Sequence, residues 1–122
     1  MLLLALMKLV WTLMSAALAA GCGMAEDPRP ATFEVVTLEI LAPSCGQVQC
    51  HSTTTRTKGY AFDTLPSARL TLRELVGPTA DQSRIIGVMR GTESPRMPPD
   101  YPLPEVDIQL VATWIDAGAP GL

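Results

Sequence analysis

Apolar positions fill most of residues 1–21, interrupted by the single charge of Lys8, and the run ends in Ala19-Ala20-Gly21 directly before Cys22. An apolar run closing on small residues has the pattern of a secretory signal peptide, and Met7-Lys8 offers a second start with the basic residue in its usual place. Residues 22–32 lose any apolar period and carry Glu26, Asp27, Pro28 and Pro30, the composition of a tether. A helical period begins at Phe33, where Phe33, Val36, Ile40 and Leu41 share one face and Pro43 is expected to stop the element. Residues 52–66 are polar and irregular and are expected to form a loop. Ser67 is positioned to cap a short helix over 68–76, with Leu72, Leu75 and Val76 on its apolar edge before Gly77-Pro78. A second short helix is predicted over 81–89, carrying Ile85, Ile86 and Met89, with Gly91 as its stop. The proline-rich run from Ser94 to Pro104 can be neither helix nor central strand, so a rigid extended loop is expected. From Pro104 the stripe Ile108, Val111, Ala112 and Ile115, widened by Val106, Leu110 and Trp114, predicts a terminal helix. Glu105 and Asp107 suit its first turn, and the Phe33 helix is its expected partner.

The fold class read from this pattern is mainly α, a small helical domain over 33–122 with long loops. Eleven prolines and nine glycines against two phenylalanines and two tyrosines limit the core that the side chains alone can build. A domain of this size is commonly stapled by a disulfide, a metal or a bound group. The net charge of −3 gives no electrostatic case for nucleic acid, and no nucleic-acid partner is expected. Cys22, following small residues, resembles the lipidated cysteine of bacterial lipoproteins. That resemblance implies a lipid on Cys22, a membrane anchor and a domain facing the periplasm or the cell exterior.

The remaining two cysteines and the only histidine fall together in Cys45-Gly46-Gln47-Val48-Gln49-Cys50-His51. Two thiols followed at once by an imidazole read as a covalent haem attachment site, with the histidine as an axial iron ligand. The usual spacing has two residues between the cysteines and this chain has four. A Cys45–Cys50 disulfide in an exported, haem-free binding module is the alternative. Zinc is a third reading, but such sites take four ligands and two thiols and one imidazole fall short of that. Met97 is the candidate second iron ligand, because the surrounding prolines would hold a weak thioether in place. Met89 reads instead as a core residue. Tyr60 and Phe62 could lie against a bound group or cover the core, and Arg96 could pair with a haem carboxylate.

Taken together, Cys45 to His51, the run Pro95-Arg96-Met97-Pro98-Pro99 and the ending Trp114-Ile115-Asp116-Ala117-Gly118 resemble the small class I c-type cytochrome domains of bacterial exported proteins, myxobacterial and planctomycete ones included. The resemblance spans about residues 33–120. It implies a single covalent haem c with thioether links at Cys45 and Cys50, His51 as proximal ligand and Met97 as distal ligand. It further implies electron exchange with redox partner proteins. No acid, base or nucleophile for substrate turnover is evident, so the chain is not expected to be an enzyme.

Overall fold

The computed structural model describes residues 26–122, so the expected signal segment and Cys22 lie outside the described residues. Those described are mainly helical, with no strand among them. Helix α1 is one continuous stretch made of Phe33–Val35, Val36–Leu41 and Ala42–Ser44, and α2 is Leu65–Leu75. Helix α3 is Arg84–Arg90 and α4 is Glu105–Asp116, and short 3₁₀ turns occur at Thr57–Gly59 and Ala80–Gln82. No helix among the described residues is long and apolar enough to cross a membrane.

Thr32 caps α1, its hydroxyl accepting from the Val35 N–H at 3.2 Å. The middle of α1 is wound as a π-helix, with the Ala42 N–H reaching back five residues to the Thr37 carbonyl. That widening lies directly before Pro43, whose ring in an ordinary α-helix would clash with the carbonyl four residues back. The helix therefore carries Pro43 within its last turn instead of ending before it, and Cys45 becomes its C-terminal cap. The expected apolar face is observed: Phe33, Val36, Ile40 and Leu41 are all buried.

Helix α2 starts earlier than Ser67. Thr64 is its cap, accepting from the Ser67 N–H, and Pro66 sits in the first turn, where its missing N–H costs nothing. Helix α3 begins after the Ala80–Gln82 turn and ends on Gly91, whose φ of 76° is the left-handed conformation glycine adopts without strain. In α4, Pro104 is the cap and Glu105 the first helical residue. Its stripe is buried as expected except for Val106, which is 48% exposed because its position falls beyond the edge of the buried face.

Helix α4 packs against α1, α3 and the Ala80–Gln82 turn. Trp114 is fully buried, 6.2 Å from Phe33 between ring centroids, and its indole N–H donates to the Pro120 carbonyl at 3.0 Å. Burying apolar side chains of this size stabilises by about 1.5–3 kcal/mol each. At the N-terminal side, Arg29 bridges Asp27 and Asp107, both at 2.6 Å, which ties the approach to α1 onto the first turn of α4.

Thr37 is the second residue of the π-helical stretch, fully buried, and its hydroxyl has no hydrogen-bond partner among the described residues. A buried hydroxyl without a partner forfeits about 1–3 kcal/mol. Thr37→Val keeps the shape and removes the polar atom, so chemical denaturation should show a gain of about 1 kcal/mol. A loss of stability would contradict this account of the position.

Candidate functional site

Cys45 is delivered by the C-terminus of α1, where its N–H donates to the Leu41 carbonyl at 2.7 Å. Gly46 follows, buried, with its backbone wedged against Ala42 and Asp63. A Cβ there would come within 2.8 Å of the Ala42 carbonyl oxygen and 2.9 Å of the Asp63 nitrogen, so no larger residue fits. The loop then closes on itself: the Cys50 N–H donates to Gln47 at 2.8 Å and the His51 N–H donates to Cys45 at 3.0 Å.

The His51 ring is held on three sides. Its Nδ1 lies 2.8 Å from the Thr57 carbonyl oxygen. A carbonyl can only accept, so Nδ1 carries the proton, and in the neutral ring the lone pair is then on Nε2, the tautomer a metal-ligating histidine needs. Tyr60 and Phe62 flank the imidazole with ring centroids at 6.0 and 5.9 Å, Phe62 edge-on at 85°. The Phe62 N–H also donates to the His51 carbonyl at 2.8 Å. The turn that carries Thr57 is strained, with Arg56 at φ 48° and Lys58 at φ 57°, both in the left-handed region that non-glycine residues seldom occupy.

Met97 comes from the proline-rich loop. Its N–H donates to the Val88 carbonyl at 2.9 Å, which docks the proline-rich loop onto α3. The side chain is half-buried, and it faces two adjoining cavities of about 390 and 240 Å³ that have Cys45, His51 and Met97 in common. The larger lobe is walled mainly by Phe62, Leu75, Ile85, Val88 and Met89, with Lys58 and Arg84 as its charged residues. Cys50 and Tyr101 line the smaller lobe. Cofactor pockets are typically about 300–1,000 Å³, concave and mostly apolar, and the larger lobe alone reaches that range.

The structure thus brings Cys45, Cys50, His51 and Met97 around one slot. Tyr60 and Phe62 prove to line the larger lobe, and Phe62 also belongs to the core. Met89 is buried, as its period implies, and forms part of the same wall. Arg96 is exposed, lies over Gly91 and lines neither lobe, so it is not positioned as a counter-charge. Lys58 and Arg84 are the cations that line the larger lobe, Arg84 also lying 3.8 Å from Glu93. Sequence reasoning passed over both, since neither spacing nor neighbours set them apart from other surface cations. The Thr57 carbonyl is a main-chain group that any residue could have supplied.

Both thiols are half-buried, and neither is in a disulfide among the described residues. Among the described residues no three His, Cys, Asp or Glu side chains converge as a metal-holding group, which leaves the zinc reading without a site. Burial, and secondarily the neighbouring Cys50, push the Cys45 thiol up to about 12. The Asp63 carboxyl is held below its ordinary range chiefly by the Thr53 N–H, at 2.9 Å, helped by the Thr53 hydroxyl at 2.7 Å.

No family model, curated protein or solved structure matches this chain.

Because burial pushes the Cys45 thiol up, iodoacetamide at pH 8 should modify it more slowly in the native haem-free chain than after denaturation. Native Cys45 reacting at the rate of the denatured chain would contradict the burial assigned to it.

Proposed function

We propose that this chain is a monohaem c-type cytochrome domain, tethered to a membrane through a lipid on Cys22 and carrying single electrons outside the cytoplasm. The observation that carries the reading is that His51 and Met97, from separate loops, line the same two lobes together with Cys45. His51 has its Nδ1 proton engaged and Nε2 available.

The residues fit the group in composition as well as position. Cys45 and Cys50 both line the smaller lobe. There each thiol would add its S–H across a vinyl C=C, sulfur to one carbon and hydrogen to the other, with no net oxidation. Lys58 and Arg84 line the larger lobe and not the smaller one. Vinyl and carboxylate groups occupy opposite halves of the porphyrin, so Cys50 in one lobe, the cations in the other and Cys45 shared between them suit one orientation. The apolar wall of Phe62, Ile85 and Met89 would exclude water from the ring.

When bound, haem supplies one-electron chemistry through its iron. His51 Nε2 and the Met97 thioether would hold the iron, which would favour outer-sphere electron transfer over oxygen chemistry and a higher potential than two histidines give. The reading therefore assigns redox proteins as partners and no substrate, and the chain is not proposed to be an enzyme.

Purified from a host that attaches haem covalently, the full chain should show a Soret band and a reduced α-band whose haem stays with the polypeptide after denaturation. A colourless protein would overturn the reading in favour of a haem-free exported module with a Cys45–Cys50 disulfide. For the anchor, Cys22→Ser should move the protein to the soluble fraction, whereas continued membrane retention would argue against the lipid.

A further inference from the structure

The four residues between Cys45 and Cys50 exceed the usual attachment spacing by two, and the structure displays what is done with them. Gly46 is absorbed into the end of α1, donating to the carbonyls of Leu41 and Ala42, both at 3.0 Å. Gln47 to Cys50 is a single turn closed by the 2.8 Å bond from the Cys50 N–H. The excess lies at the tip, at Val48 and Gln49. There the Val48 carbonyl accepts from two hydroxyls beyond the histidine, Ser52 Oγ at 3.2 Å and Thr55 Oγ1.

The two hydroxyl residues are also fastened to each other and to the loop. The Thr55 N–H donates to Ser52 Oγ at 3.1 Å, and the Ser52 carbonyl accepts from the Arg56 N–H at 2.9 Å. Ser52 is 3% exposed, so its hydroxyl is withdrawn from water and committed to these bonds. Val48 itself is 67% exposed and lines neither lobe, although the flanking Gln47 and Gln49 line the smaller one. The tip is therefore pulled back onto residues 52–55 with its side chain turned outward, while Cys45 and Cys50 remain on the same lobe.

We propose that Ser52 and Thr55 form a hydroxyl clamp on the Val48 carbonyl, and that this clamp takes up the two additional residues so that both thiols address a single macrocycle. They are positioning residues: neither lines a lobe, and they act through the backbone between the cysteines. The inference rests on the covalent-haem reading and specifies which residues make the enlarged spacing workable. Both links are the S–H additions to vinyl groups described above. Without the clamp the tip is free to swing, and one thiol loses its fixed distance from its vinyl carbon.

The test counts thioether links. The full chain, Ser52→Ala/Thr55→Val and Thr55→Ser are each matured in a host that attaches haem, denatured, alkylated and analysed by mass spectrometry for free cysteine. Wild type should carry two links. The double variant should show a roughly tenfold larger fraction of chains with one alkylatable cysteine, the effect of losing both hydroxyl bonds to Val48 and the Thr55 N–H bond to Ser52 Oγ. Thr55→Ser, which keeps the hydroxyl, should behave as wild type, a rescue that loss of bulk alone would not give. A double variant with two links in the wild-type proportion would overturn the clamp. If the wild type acquires no haem, the cytochrome reading fails separately. The clamp is then judged by amide exchange at Cys50 and His51 in the haem-free chain. Exchange should be roughly tenfold faster in the double variant, and unchanged exchange would overturn it.

Discussion

The bond from the His51 Nδ1–H to the Thr57 carbonyl is the constraint on which the site depends. It fixes the plane of the only imidazole in the chain and occupies one ring nitrogen, and His51 lines both lobes together with Met97. The turn that presents this carbonyl holds two non-glycine residues in the left-handed region. Such conformations cost on the order of 1 kcal/mol each and persist where the surroundings over-determine them. The surroundings here are explicit. The Thr57 N–H donates to the Cys50 carbonyl at 3.3 Å, and the Phe62 N–H holds His51 from the other side. Lys58, next to Thr57, is one of the two cations of the larger lobe, so one strained turn orients the imidazole and contributes charge to the slot.

The helices serve this arrangement from outside. Helix α1 ends on Cys45 because its π-helical middle makes room for Pro43, and α3 holds Met97 through the Val88 carbonyl. Helix α4 contributes little to the slot itself. Through Trp114 against Phe33 it fixes the direction in which α1 enters the loop. Three separate segments thus meet at one cavity, each set by a backbone bond or a packed aromatic pair rather than by contacts among the site residues themselves.

Much of this was legible in the sequence where residue type alone carries the physics. The stripe of α4 and the face of α1 follow from amphipathic spacing, and Cys45, Cys50, His51 and Met97 stand out because few other side chains offer sulfur or imidazole. Legibility failed where a neighbour decides the outcome. Pro43 reads as a stop until the π turn before it removes the clash, and Ser67 reads as a cap although Thr64, three residues earlier, caps the helix by accepting from the Ser67 N–H. Val106 lies one position beyond the buried face, which spacing alone does not resolve. Ser52 to Thr55 look like a featureless polar run, and their bonds to Val48 and Asp63 exist only once the loop has folded. Lys58 and Arg84 could not be distinguished from Arg96 without knowing which cations face the cavity.

The central claim is that Met97, and not the buried Met89 of the same wall, completes the ligand set opposite His51. The most direct measurement is the near-infrared spectrum of the oxidised, haem-loaded protein, where methionine bound to ferric iron gives a weak charge-transfer band. The account predicts that the band is present in wild type, retained in Met89→Ala and lost in Met97→Ala. A band that survives in Met97→Ala would contradict it.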